Sequence, residues 1–236
     1  MGPALDGAPF REGAVTATAL LVEASPRFGR SQSRAAAEKV VGRLRERRPD
    51  LRLLRRDLMA EPPPLIDEAF TEAMYVPTPR QDERQRRALA YSEAAIAELE
   101  QAGTLVISTP MNNFTVPAVL KTWIDQVLRL ERTFRSTPEG KIGLLADRPT
   151  YVVVASGGYI TGPRARQPDF LTPYLEAVLA TLGIRTVQYF YLERLPREAD
   201  LTAVIDEQVR AWLDLHLPLS TGPLPTRPQA VPPLST

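Results

Sequence analysis

The chain has 236 residues, enough for one α/β domain with a full core, and its 44% hydrophobic and 24% charged residues exclude collagen-like, coiled-coil and wholly disordered classes. It has no Cys and a single His, His216, which excludes disulfide frameworks, thiolate nucleophiles, iron–sulfur clusters and thiolate zinc sites, and nearly excludes the usual zinc and triad chemistries. With 29 basic and 28 acidic residues the formal charge is +1, which gives no nucleic-acid or polyanion signal.

Residues 1–14 hold Gly and Pro without periodicity and are expected to be a flexible extension. Ala14–Val22 is apolar, but it falls short of the roughly 18 apolar residues of a membrane span and is closed by Glu23. It is expected to be a buried strand, not a signal peptide. Met1-Gly2 opens like a myristoylation site, yet position 6 is Asp6. The Asn113-Phe114-Thr115 sequon has no meaning without secretion. The expected location is the cytoplasm, with no membrane association.

Strands and helices then alternate. A strand is expected over Thr16–Glu23, and a helix over Ser33–Arg47 with Val40, Val41 and Leu44 at helical spacing. Leu51–Asp57 sets Leu against Arg, the pattern of a strand with one exposed face near a sheet edge. The Arg-rich run Arg43–Arg56 is expected to be a solvated helix face and turn. Glu61–Pro79 is Pro-rich and irregular, and Glu83–Gln101 is a long amphipathic helix ending at Gly103. Thr104–Ser108 is a buried strand, and Thr115–Leu130 a helix that tolerates Pro117 in its first turn. Thr150–Ala155 is a strand, Asp169–Leu182 a helix stopped at Gly183, and Ile184–Leu192 a strand. Asp200–His216 closes a main domain spanning residues 15–216. Residues 217–236 carry six Pro and are expected to be a disordered or polyproline tail.

Five strands, each followed by a helix, imply an α/β fold: a doubly wound, five-stranded parallel sheet in a three-layer α/β/α arrangement. Ligands in such sheets bind at the carboxyl ends of strands, near the switch in strand order. The loops after Glu23, Ser108 and Ala155 are therefore the candidates.

The first loop carries Ser25, Ser31, Gln32 and Ser33 into a helix N-terminus, where hydroxyls and free N–H groups suit a phosphate. A plain N-cap by Ser31 or Ser33 is the alternative. It has neither GxGxxG nor GxxxxGKS. The second loop, Pro110-Met111-Asn112-Asn113-Phe114, offers amide edges and apolar contact, or a simple turn. In the third, Ala155-Ser156-Gly157-Gly158, paired glycines permit close approach to a flat ligand or make a tight turn. Together the loops match a mononucleotide, and flavin mononucleotide (FMN) is the natural ligand for such a sheet.

From about Val15 to Leu215 the sequence resembles the flavodoxin-like FMN-dependent NADH-azoreductases, also called FMN-dependent NADH:quinone oxidoreductases. The resemblance is carried by Ser25 with Ser31-Gln32-Ser33, by Asp57-Leu58, and by Pro110–Phe114, which is similar to the family's PMYNF. Thr133-Phe134-Arg135 with Gly140 and Gly143-Leu144, Gly157-Gly158, and Thr172-Pro173-Tyr174-Leu175 with Leu182-Gly183-Ile184 complete it. It implies that Ser25 and Ser31–Ser33 hold the FMN phosphate, that Met111–Phe114 contact the isoalloxazine ring, and that Ala155–Gly158 lie at its pyrimidine side. It also implies a homodimer with the site at the interface, and ping-pong hydride transfer from NADH or NADPH through FMN to a quinone or azo compound. Asn112 replaces the family's Tyr, Ala155-Ser156 its Ser-Arg, and Ser136 a frequent Tyr. No catalytic side chain is expected, because the flavin carries the chemistry; His216 is read as a bland surface residue and Lys121–Asp125 as a solvent-facing pair. Three alternatives stand beside this: a flavodoxin-type electron carrier, which the near-neutral charge disfavours, a reductase using FMN as a loose substrate, and an interaction module without cofactor.

Overall fold

Apolar strands need cover on both faces, and the order of elements supplies it. The computed structural model describes residues 17–76, 80–194 and 201–217, without the side chains of 201 and 202. The N-terminal extension expected over residues 1–14 and residues 218–236 of the expected tail therefore lie outside the described residues. In chain order the elements are β1 (Thr18–Glu23), α1 (Gln32–Arg47), β2 (Arg52–Asp57), α2 (Glu68–Ala73), α3 (Glu83–Gln101), β3 (Thr104–Pro110) and α4 (Ala118–Val127). There follow β4 (Phe134–Thr137), β5 (Gly140–Gly143), β6 (Thr150–Ser156), α5 (Leu171–Leu182), β7 (Val187–Glu193) and α6 (Leu201–His216). Local chemistry fixes several ends: Asp82 and Gln85 form a reciprocal capping box on α3, and Gly183 ends α5 at φ 103°.

The sheet has five parallel strands in the order β2-β1-β3-β6-β7. Side chains alternate across it. Leu20, Val22, Leu105, Ile107, Val152 and Val154 pack beneath α3, α4 and α5. Leu21, Val106, Tyr151, Val153 and Phe190 meet α1 and α6 on the other face. As expected β2 is an edge strand, but neither of its faces is simply solvated. Leu54 packs on the first cluster and Leu53 on the second. Arg55 reaches Glu23 and Glu38, and Arg56 donates to Glu98 on α3. Part of the Arg-rich run is thus ion-paired cover for an edge strand, and its aliphatic stems extend the apolar surface. Lys121 and Asp125 form the expected i,i+4 pair at 2.6 Å. His216 is not a bland surface group: its ring lies 4.9 Å from Trp212, and burial pushes its pKa down.

Several elements differ from the sequence reading. The Pro-rich stretch contains α2, which Asp67 starts by accepting from the Phe70 N–H at 2.7 Å. Helix α4 begins only at Ala118, because Thr115 pairs back to Asn112 in a turn. β7 starts at Val187, not Ile184, since Ile184 closes the α5 end through its N–H to Leu179 O. Leu217, read as the first tail residue, is buried as the last turn of the α6 region. The hairpin β4–β5, which no sequence pattern announces, is short and antiparallel. It is held by glycine contact: a Cβ on Gly143 would stand 2.1 Å from Gly183 N, and one on Gly183 2.4 Å from Leu145 O.

Gly183→Ala therefore meets both a left-handed backbone and a backbone collision, and is expected to cost about 1–3 kcal/mol. Gly42→Ala, in the α1 interior with open space at its Cβ, is expected to add about 0.5–1 kcal/mol. Thermal unfolding of the two variants should move the melting temperature in opposite directions; a neutral Gly183→Ala would contradict the packing described.

Candidate functional site at the carboxyl ends of β1, β3 and β6

The chain turns one way from β1 to β2 and the other way from β3 to β6, so the switch in strand order lies between β1 and β3. All three candidate loops leave this edge. The hydrogen-bonded ladder runs up to their roots: Leu58 N–H to Glu23 O, Ala24 N–H to Ser108 O, Met111 N–H to Ala155 O and Arg194 N–H to Ser156 O, all at 2.8–2.9 Å. With strands about 4.8 Å apart, the roots of the three loops span roughly 10 Å.

In the first loop Ser25, Ser31 and Ser33 are all buried, and the Ser31 and Ser33 hydroxyls lie 3.2 Å apart. Ser31 is also the N-cap of α1, its Oγ accepting from the Arg34 N–H at 3.3 Å. The cap and the anion reading are thus compatible: one N–H is taken, while those of Gln32 and Ser33, at the helix start, have no intrahelical acceptor. Gln32 is half-buried. Arg34, which the sequence reading passed over, fixes the loop from below. Its guanidinium makes two 2.7 Å bonds to Asp57, lies 3.3 Å from Glu23, and donates to Ser25 O at 2.8 and 3.1 Å. The Arg34 donor holds the Asp57 carboxyl below its ordinary pKa, against the opposing effect of burial; the Met59 and Ala60 N–H groups help.

The second loop folds as a two-residue turn. Asn112 and Thr115 exchange backbone hydrogen bonds at 2.9 and 3.0 Å, with Asn113 at φ 47° and Phe114 at φ 70°. Left-handed backbone is unusual for a Phe. The Phe170 N–H helps hold it by donating to Phe114 O at 3.0 Å. The ring of Phe114 is left 44% exposed, beside exposed Asn112 and Asn113, whereas Met111 packs against the core and Pro110 is half-buried.

In the third loop Ala155 is half-buried and Ser156 buried, its Oγ accepting from the Gly158 N–H at 3.3 Å. Gly157 is exposed, with nothing within 4 Å of the place a Cβ would take, whereas a Cβ on Gly158 would strike the Gln167 side chain. Glu193 accepts from the Ile160 and Thr161 N–H groups at 2.7 and 2.8 Å and so ties this loop to β7. Every site residue expected from the sequence therefore lies at one edge of the sheet. Arg34 and Glu193 were missed because their partners are remote in sequence; the Asp57 carboxylate ending β2 was the available signal for Arg34.

The donor set fits FMN. Three buried hydroxyls and two helix-start N–H groups suit a monoester phosphate. The exposed Phe114 ring, the Asn112 and Asn113 amides and the open space at Gly157 suit a flat heterocycle with polar edges. The described residues hold no group of His, Asp and Glu side chains arranged for a metal ion.

A doubly wound parallel sheet of this order, with its loops at the switch point, defines a flavodoxin-like α/β protein. The family model described as "Flavodoxin-like fold" matches residues 17–215. FMN-dependent NADH:quinone oxidoreductase 4 of Pseudomonas fluorescens is 50% identical over 83% of this chain and 89% of its own. FMN-dependent NADH:quinone oxidoreductase 5 of Burkholderia lata is 48% identical over 78% of this chain and 89% of its own. The crystal structure of azoreductase from Bacillus anthracis superposes with a TM-score of 0.71 at 26% identity, covering 82% of this chain and 97% of that one. The chain belongs to the flavodoxin-like family of FMN-dependent NADH:quinone oxidoreductases.

The depressed Asp57 pKa carries a sign for stability. A carboxylate held below its unfolded value, about 3.9, stabilises the fold above that value and loses this contribution as pH falls through the depressed pKa. Asp57→Asn is expected to lose about 2 kcal/mol at pH 7, because the guanidinium exchanges two charge-assisted bonds for a neutral amide while keeping Glu23 and Ser25 O, and to show a flatter loss of stability below about pH 4. Urea midpoints between pH 2.5 and 7 check this; parallel curves for the two proteins would contradict it.

Proposed function

We propose that the protein is a homodimeric cytoplasmic oxidoreductase that passes hydride from NADH or NADPH, by way of FMN held at the three loops, to quinones and azo compounds. The observation that carries this is the convergence of a buried serine cradle and two loops suited to a ring at the switch point of a flavodoxin-like sheet, in a chain 50% identical to an FMN-dependent NADH:quinone oxidoreductase. FMN supplies the two-electron hydride chemistry when bound. The residues of the chain bind and orient. Ser25, Ser31 and Ser33 and the α1 N-terminus receive the phosphate. Met111, Asn112, Asn113 and Phe114 meet the ring on one side, and Ala155–Gly158 approach it through backbone on the other. No His, Cys or carboxylate is required to move a proton, because a quinone that accepts hydride takes its remaining proton from solvent. Leu65, Ile66, Tyr75, Ile142 and Leu144 are left uncovered by the single chain, which supports a second copy as their cover. Among the described residues no helix is long and apolar enough to cross a membrane.

Ser31→Ala combined with Ser33→Ala removes two hydroxyls from the cradle and leaves its N–H groups. Hydrogen bonds to a charged partner contribute about 1.5–3 kcal/mol each, so FMN affinity is expected to fall by roughly ten- to ten-thousand-fold. Loss of the Ser31 cap is expected to cost about 1 kcal/mol of stability as well. Fluorescence titration with FMN measures the first effect, and excess FMN should restore turnover. Wild-type affinity in the double variant would reduce the first loop to a helix cap.

A further inference from the structure

The third loop continues into a cluster of charge that the reading above leaves unused. Tyr159 follows Gly157-Gly158 directly. The guanidinium of Arg164 lies 4.3 Å from its ring centroid and that of Arg194 5.8 Å. Arg164 also donates to the Tyr159 hydroxyl at 3.3 Å. Both arginines are exposed. The Arg194 backbone is fixed to the site by its N–H to Ser156 O, and the Arg166 N–H closes the loop that carries Arg164 onto Tyr159 O at 3.1 Å. Arg194 is held at φ 45°, in the left-handed region.

The neighbouring carboxylates are engaged elsewhere. Glu193 accepts from the Ile160 and Thr161 N–H groups, and Asp169 from the Leu171 and Thr172 N–H groups at 2.9 Å. Among the described residues neither Arg164 nor Arg194 has a carboxylate within 4.0 Å, whereas Arg34, Arg43, Arg55, Arg56 and Arg132 all do. Two like charges over one ring repel. The ring's face offsets this in part, and an anion bound beside the ring offsets it more fully, with the fork geometry of either guanidinium suited to carboxylate, sulfonate or phosphate oxygens.

We propose that Arg164 and Arg194, stacked on Tyr159, form a specificity clamp for an anionic substituent of a substrate at the rim of the flavin site. This rests on the placement of FMN at the three loops. The substituent has two sources. An aromatic acceptor brings a carboxylate or sulfonate, and NADPH brings a 2′-phosphate that NADH lacks.

The test is the ratio of kcat/KM between matched substrates, in the flavin-loaded enzyme and in Arg164→Ala/Arg194→Ala. One arm compares methyl red, a carboxylated azo compound, with its uncharged parent 4-dimethylaminoazobenzene, using NADH. The other compares NADPH with NADH, using menadione, an uncharged quinone. In the arm the clamp serves, the preference for the charged substrate is expected to fall about tenfold at low ionic strength and less at high salt. Arg164→Lys alone is expected to fall between, because a point charge replaces the fork. Bound FMN, counted after heat release, should stay with the double variant. Unchanged ratios in both arms overturn the clamp, as does a loss of FMN in step with the charge, which would assign the arginines to the cofactor. A wild-type protein that neither holds FMN nor reduces menadione overturns the underlying functional reading instead.

Discussion

One buried guanidinium holds the first loop and the sheet edge in register. Glu23 and Asp57 end adjacent parallel strands and face the same side of the sheet. Two carboxylates so placed repel, and Glu23 is only 2% exposed, so a cation must stand between them. Arg34 supplies it from the first turn of α1, and with the same fork it also satisfies the Ser25 carbonyl. The N-terminus of α1 is thereby fixed over the ends of β1 and β2, and the eight residues between Glu23 and Gln32 must close within that span. Removing Asp57 leaves the Arg34 guanidinium to Glu23 and the Ser25 carbonyl, and removing Arg34 leaves Glu23 to Arg55 and takes from Asp57 its bidentate partner.

The other two loops depend on the sheet in the same way. Each leaves its strand through a ladder hydrogen bond, so loop positions are inherited from strand register. What is strained or soft sits beyond that root: the left-handed Asn113-Phe114 turn and the open backbone at Gly157. A rigid sheet that presents irregular loops is the usual division between scaffold and site. It also accounts for a composition with one His and no Cys. When a cofactor carries the electrons, the protein needs position and polarity, and serines, amides and glycines provide both.

The central sheet was legible because it rests on local pattern. Runs such as TLVIS and TYVVVA are apolar throughout, and helices with clear caps follow them. The loops were legible because their chemistry is contiguous in sequence. What escaped depends on partners far along the chain. Arg34 looks like any exposed helix arginine until Asp57 and Glu23 are placed, and Arg55 and Arg56 look solvated until Glu38 and Glu98 meet them. The β4–β5 hairpin has four-residue strands of mixed side chains with no alternation, and its support is contact between Gly143 and Gly183. No periodicity announces either. Helix α2 was hidden because prolines surround a helix of only six residues, whose Asp67 cap was the one visible cue.

The most direct measurement is the absorption spectrum of the purified protein under anaerobic conditions, before NADH, after NADH, and after a quinone is added last. Bound flavin that is released by heat as FMN, bleaches on addition of NADH or NADPH and returns with the quinone is the expected result. A protein that takes up no FMN, or that holds a flavin which neither nucleotide bleaches, would contradict hydride transfer at these loops.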